Sequence, residues 1–285
     1  MGIRQGVVVV LAVALLLLPR SVVGQSAVNG EQPLWEAGAG VALLYMPDYR
    51  GSNESRFYLL PYPYLIYRGD VLRIDKERIS GRIFKTDRIL LDFSLSGSLP
   101  VDSSKNDARR DMPDLDPAFE IGPALNVTLL EDRQSPYKLS LALPVRAVYA
   151  TNLSRFHHEG WVFHPRLVFE KGDLLPGSGL NLGLSTGPNF ADSTYHRFFY
   201  SVDRAYVTPS RPFYDAPGGY SGSRVTIGLN KKWDPLIFNV FVGADFLQGA
   251  VIEDSPLVKN KTSFMSGITV SWVFLKSDKR VPAGR

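Results

Sequence analysis

The sequence predicts an all-β chain, a transmembrane antiparallel β-barrel of the outer membrane with about 12 strands, within a range of about 10–14. Three observations carry this reading. Apolar and polar residues alternate with period two along nearly the whole chain. The alternating segments run to about 10–13 residues, the length of a tilted membrane-crossing strand rather than the 5–6 of an average soluble one. Aromatic residues stand at the ends of the apolar rows, where an amphipathic ring gains most at the headgroup level.

The N-terminus sets the compartment. Arg4 supplies a positive start, Val7 to Leu18 is an uninterrupted apolar run, and Pro19-Arg20 breaks it before Val22-Val23-Gly24. That order is a secretory signal peptide over residues 1–24, cut after Gly24 with Ala27 as the second choice, and its apolar run falls short of a membrane-spanning helix. Removing Arg4 and Arg20 with it lowers the formal net charge from +4 to +2. Such a mild charge, spread along the chain, gives no reason to expect nucleic acid as a partner. The chain has no cysteine, which excludes a lipoprotein anchor and disulfides. Residues 25–274 then form the barrel, and 275–285 a basic C-terminal tail.

Taken in order, the strands are expected at 34–46, 56–68, 71–84, 87–99, 117–130, 136–150, 160–171, 179–190, 195–207, 220–232, 236–249 and 263–274. In 34–46 the row Trp35, Ala37, Ala39, Val41, Leu43, Tyr45 opposes Glu36, Gly38, Gly40, Ala42 and Leu44. Ile89, Leu91, Phe93 and Leu95 oppose Asp92, Ser94, Ser96 and Ser98, and Tyr137 to Tyr149 repeats the pattern. The last strand sets Ile268, Val270, Trp272 and Phe274 against Gly267, Thr269 and Ser271. A soluble barrel would turn its apolar rows inward. Here the opposing rows are rich in Gly and Ser with isolated charges, a composition suited to a lumen, so the apolar rows are assigned to lipid. No segment offers a helical stripe of useful length.

With both termini periplasmic, strand parity puts 47–55, 208–219 and 250–262 outside. It puts 100–116, the 151–159 connection with His157-His158, and the turn at Arg68-Gly69-Asp70 inside the periplasm; since short turns are expected there, either 100–116 is a true periplasmic excursion or the 71–84 segment is miscut. Gly and Asp fit that last turn for backbone reasons, and an adhesive tripeptide there would be hidden from a host cell. Pro61 and Pro63 direct their missing N–H groups to one seam, which predicts a weak seam or bulge beside them.

Several stretches resemble the MipA/OmpV family, the MltA-interacting outer-membrane proteins. They are WEAGAGVALLYMPDYRGSNESRFYLLPYPYLIYRGD at 35–70, DMPDLDPAFEIGP at 111–123, GADFLQGAVIEDSPLV at 243–258 and SGITVSWVF at 266–274. The resemblance implies an outer-membrane barrel that scaffolds peptidoglycan-remodelling enzymes, a lytic transglycosylase and a penicillin-binding protein. It names periplasmic murein hydrolases and synthases as partners, beside outer-membrane lipid. The basic tail after Phe274 departs from barrels that end on an aromatic residue.

The residues give little sign of an enzyme. No nucleophile motif accompanies His157, His158, His164 or His196. Asp111, Asp114 and Asp116 lack the central Gly and terminal Glu of a calcium loop, and no cofactor or metal is expected. The charged residues on polar rows, Asp92, Glu120, Arg146, His164, Arg166 and Glu170, are lumen-lining candidates. They either pair across a plugged interior or line a channel. The 100–116 loop, with Asp102, Lys105, Asp107, Arg109, Arg110 and Asp111, is the candidate partner-binding loop. The alternatives to a scaffold are a narrow diffusion channel and a surface adhesin.

Overall fold

The structure is a computed structural model that describes residues 31–282 except 70–71, 76–77, 82–83, 133–134 and 153. The expected signal segment lies outside the described residues. The strands are β1 (Glu31–Pro33), β2 (Trp35–Pro47), β3 (Ser55–Arg68), β4 (Leu72–Asp75), β5 (Arg78–Gly81), β6 (Phe84–Lys85), β7 (Ile89–Ser98), β8 (Ala118–Asp132), β9 (Tyr137–Thr151), β10 (Phe156–Phe163), β11 (Arg166–Lys171), β12 (Leu180–Ala191), β13 (Gly219–Trp233), β14 (Leu236–Phe246), β15 (Thr262–Lys276) and β16 (Arg280–Pro282). One helix, α1 (Ser193–Tyr200), lies between β12 and β13.

From β2 to β15 the pairing is antiparallel and runs between strands successive in sequence except at β5–β6 and β10–β11; β15 returns to β2, and β1 pairs with β16. β10 and β11 are halves of one stave broken at His164-Pro165, since both lie between β9 and β12. β5 pairs β4, β6 pairs β7, and β5 runs alongside β7, so they too form one stave. The wall is therefore an up-and-down barrel of twelve staves, the outer-membrane barrel expected from the alternation.

The apolar rows do face outward. Val41 and Leu43 are exposed while Ala42 and Leu44 are buried, and Val240 and Val242 are exposed beside buried Asn239 and Phe241. Aromatic rings mark both rims. Tyr45 packs on Phe57 and Phe119 on Tyr149 at one end, Trp272 on Phe274 and Tyr137 on Phe169 at the other.

Two expected strands differ, in ways that offset one another in the count. Residues 71–84 hold the β4–β5 hairpin and the start of β6 rather than one strand, and 195–207 holds most of α1 and a 3-10 turn. Asp192 caps the helix, its side chain accepting from Tyr195 N at 2.9 Å. The helix buries His196, Phe199 and Tyr200, a stripe at i, i+3 and i+4 that eight residues repeat too briefly to be read.

The parity between these points is thus inverted. Residues 100–116 stand at the same end as 47–55, 208–219 and 250–262, because Tyr49, Val101, Tyr200, Ala216, Ile252 and Leu257 share one core. His157 and His158, at the start of β10, stand at that end too. The opposite end has short turns and the ribbon of β1 with β16, so β15 runs past Phe274 and the basic tail folds back.

The proline seam is short rather than bulged. β2 and β3 stay in register from Trp35↔Tyr67 to Pro47↔Ser55. Arg68 N–H bonds Leu34 O on the β2 side at 2.7 Å, so alternation turns Pro61 and Pro63 toward β4. There the described ladder holds only Tyr67↔Ile74 and Arg68↔Arg73.

Two glycines make room for rings inside the wall. A Cβ on Gly40 would lie 2.4 Å from the Tyr62 ring, and one on Gly267 2.3 Å from the Phe241 ring. Gly40→Leu is therefore expected to cost about 1–3 kcal/mol by overpacking. A lower urea midpoint of the refolded barrel checks it.

Candidate functional site: a capped polar chamber

The four long loops at one end do not splay into solvent. Tyr49, Val101, Leu115, Phe199, Leu247 and Leu257, drawn from all four, belong to a hydrophobic core that closes the barrel mouth. Backbone acceptors tie the aromatic hydroxyls in place. Tyr49 Oη donates to Leu257 O at 2.8 Å, and Tyr200 Oη to Arg50 O at 3.0 Å. Burial pushes the Tyr200 hydroxyl up to about 12, so it stays a donor at neutral pH.

The candidate partner loop is part of this cap. Arg109 is buried and donates to Phe199 O at 3.1 Å and to Pro113 O at 3.2 Å, with its guanidinium 5.9 Å from the Tyr49 ring centre. The other candidates, Asp102, Lys105, Asp107, Arg110 and Asp111, are exposed. Asp102 pairs with Lys105 at 2.8 Å, Asp107 pairs with Arg110, and Asp111 occupies a turn with φ of 64°. Hydrogen bonds from Lys105 and Ser104 hold the Asp102 carboxyl down at about 2. The placement with the long loops corrects the parity that made this segment periplasmic.

Beneath the cap is a chamber of about 240 Å³. Its wall is built from residues of β2, β3, β7, β8, β9, β11, β12, β13, β14 and β15. Of the lumen candidates, Glu120, Arg146, His164 and Arg166 line it together. Asp92 is also buried but lies outside the chamber lining, where its carboxylate accepts from Asn126 Nδ2 at 3.1 Å; Glu170 lies outside it as well.

Arg146 is the hub of one side. Its Nε stands 2.9 Å from Glu120 Oε2, Nη1 donates to Ser94 Oγ at 3.1 Å, and Nη2 donates to His164 Nδ1 at 2.7 Å. Because Nδ1 accepts, His164 carries its proton on Nε2. The Arg146–Glu120 contact is an ion pair without hydrogen-bond alignment, leaving Arg146 Nε and Glu120 Oε2 buried with no hydrogen-bond partner.

The second charged group escaped the sequence reading. Asp245, fully buried, accepts from Arg50 Nε at 2.8 Å and from Arg224 Nε and Nη2 at 2.9 and 2.8 Å. Burial works against the Arg50 charge, but Asp245 more than offsets it and holds the guanidinium above its ordinary value. Arg224 and Asn189 could have been found, since each extends a polar row by one residue: Thr226, Gly228 and Asn230 in β13, and Asn181, Gly183, Ser185 and Gly187 in β12. Arg50 lies in a loop, where alternation gives no signal.

Below the chamber the interior narrows on packed rings. Leu44, Leu60, Tyr62 and Phe241 form one cluster, and Tyr64, Ile66, Ile237 and Val273 another. Tyr62 Oη lies 2.8 Å from Ser271 Oγ. At the base, buried Glu36 takes Lys232 Nζ at 3.1 Å and Arg68 at 3.5 Å.

Two outcomes are expected. Arg146→Ala leaves Glu120 buried without its cation, at a cost of about 3–5 kcal/mol, which Glu120→Gln in the same chain should largely restore; chemical unfolding of the single and double variants checks this. His196 donates Nδ1–H to Pro217 O at 2.5 Å and stands 2.9 Å from Ser221 Oγ. Burial lowers its pKa, so the folded ring stays neutral while the unfolded ring protonates near about 6.5. Its contribution is complete above that pH and lost as pH falls below it. The thermal midpoint should drop between about pH 7 and 5 in the wild type and less in His196→Gln.

A family model described as MltA-interacting protein MipA matches residues 39–274. No curated protein matches the chain. Among solved structures, a CymD monoaromatic hydrocarbon channel is similar at 11% identity and TM-score 0.29, covering 87% of this chain and 68% of that one. The toluene transporter TodX of Pseudomonas putida is similar at 10% identity and TM-score 0.28, covering 91% and 72%. CarO2 of Acinetobacter baumannii follows at 10% identity and TM-score 0.19, covering 86% and 100%.

Proposed function

The chain belongs to the MltA-interacting protein family, an outer-membrane barrel family, and on that footing we propose that it is a non-enzymatic scaffold for peptidoglycan-remodelling enzymes. The family match over 39–274 carries the reading. The partners are a lytic transglycosylase and a penicillin-binding protein. The packed interior supports it as well: a barrel capped by a hydrophobic core and narrowed by Tyr62, Tyr64 and Phe241 is built to stand rather than to conduct.

The docking surface is moved from the 100–116 loop to the short-turn end. Outer-membrane barrels keep short turns in the periplasm and long loops outside. At that end β1 and β16 form a ribbon, fixed by Leu34 N–H to Lys279 O at 2.8 Å and Ser277 N–H to Trp35 O at 2.9 Å. It carries exposed Lys279 and Arg280 beside exposed Glu31 and Asp278, a mixed-charge, strand-edged surface for an edge-pairing partner.

Pull-down of a lytic transglycosylase and a penicillin-binding protein tests the proposal. The chain truncated after Lys276 should recover much less of both than the full chain, whereas a chain with 102–112 replaced by a short linker should recover them as the full chain does. Undiminished recovery with the truncated chain overturns the docking surface, and no recovery with the full chain overturns the scaffold. The channel alternative predicts steady single-channel currents in planar bilayers; the scaffold predicts a silent barrel.

A further inference from the structure

We propose that the capped chamber is a binding site for a small organic anion, a carboxylate carried on an apolar body. Three observations converge on it, and none depends on the scaffold reading.

The first is charge. Among the described lining residues stand four guanidiniums, those of Arg50, Arg146, Arg166 and Arg224. Against them are the carboxylates of Glu120 and Asp245, once Asp48 is set aside with its own partner Arg56 at 2.7 Å. With Arg166 set aside in the same way, Arg146 faces Glu120 and both Arg50 and Arg224 face Asp245, a formal excess of one positive charge. Enclosed charge is costly without a counter-charge, so the chamber favours an anion over a neutral or cationic occupant.

The second is a set of unused donors. Asn189 is 6% exposed, lines the chamber, and its Nδ2 has no hydrogen-bond partner. Arg50 Nη2 is likewise buried with no hydrogen-bond partner, whereas Arg146 Nε and Glu120 Oε2 face each other as an ion pair. Most buried polar groups in native proteins are satisfied, and a donor left over in a cavity marks where an acceptor belongs. Asn189 Nδ2 and Arg50 Nη2 are both N–H groups, which asks for a ligand with oxygen acceptors.

The third is asymmetry. Beneath the arginines the lining is apolar, with Leu44, Phe241 and Met265 from β2, β14 and β15. Inorganic phosphate would leave that floor against water. A carboxylate on an aromatic or short aliphatic body satisfies both, with oxygens toward Asn189 and the guanidinium forks and carbon toward Leu44 and Phe241. The chamber volume of about 240 Å³ limits it to a small molecule.

The test uses the purified full chain in detergent, incubated with sodium benzoate and followed by its thermal midpoint. Benzoate should raise the midpoint saturably, as a ligand of the folded state does. Benzyl alcohol, benzylamine and inorganic phosphate report an apolar body alone, the opposite charge, and charge alone. Each should shift the midpoint less. Asn189→Leu should weaken benzoate about tenfold, the worth of one hydrogen bond to a charged group. It should leave the unliganded midpoint unchanged or higher, because no existing bond is lost. Asn189→Asp, which sets a carboxylate beside the ligand's own, should abolish the benzoate shift. Absence of a benzoate shift, an equal shift from any control, or unaltered benzoate affinity in Asn189→Leu overturns the proposal. The ligand panel on the wild type decides even if a variant does not fold.

Discussion

Asp245 ties the cap to the wall, and much of the upper barrel depends on it. Its carboxylate, fully buried in β14, takes Arg224 from β13 and Arg50 from the β2–β3 loop. Burying a carboxylate costs several kcal/mol unless cations and donors surround it. The two arginines therefore fix more than an ion pair. The Arg50 carbonyl accepts from Tyr200 at the end of α1, and Arg50 Nη1 lies 3.4 Å from the Ser221 hydroxyl that His196 also meets. One charge in the wall thus sets where a loop, a helix and the start of a strand converge. The hydrophobic core of the cap can form only where that convergence puts it.

What was legible in the sequence follows from how local each feature is. The inward or outward sense of a residue depends only on the pleat of its own strand, so the rows of β7, β8 and β9 were readable. Asp92, Glu120 and Arg146 accordingly face inward and are buried. The side of a loop depends on counting every strand before it, and one error inverts all that follows until another restores it. β4 and β5 pair as far as Asp75↔Arg78, and the sequence between those two residues has none of the Gly, Pro or Asn that usually announces a tight turn. Helix α1 is too short to show its period. Between those two points 100–116 changed sides. The Arg50–Asp245 pair spans 195 positions of sequence, and no pattern in either neighbourhood points to the other.

The interior divides by the same logic of neighbours. Small residues on β2 and β15, Gly40 and Gly267, admit the rings of Tyr62 and Phe241, and the lower barrel fills with carbon. On β12, set between β11 and β13, the chamber lining is short side chains such as Ser185 and Thr186, which leave room beside the long arginines of β9, β11 and β13. A chamber forms where small residues stand beside long polar ones, and a plug forms where small residues face rings. Both come from the same Gly-rich inward rows that first suggested a lumen.

The prolines of β3 fit the wall as it is built. The β4–β5 hairpin turns after Asp75, one residue beyond the last described rung to β3, Tyr67↔Ile74. Above that rung, among the described residues, β3 pairs with β2 alone. Each amide turned to the other side there has no strand partner, and a bare N–H in hydrocarbon costs several kcal/mol. The residues turned that way are Phe57, Leu59, Pro61, Pro63 and Leu65, and two of these five carry no N–H. A closed barrel with full-length staves has no place for Pro61 and Pro63. A wall with one short hairpin has an edge, and an edge is where a strand proline costs least.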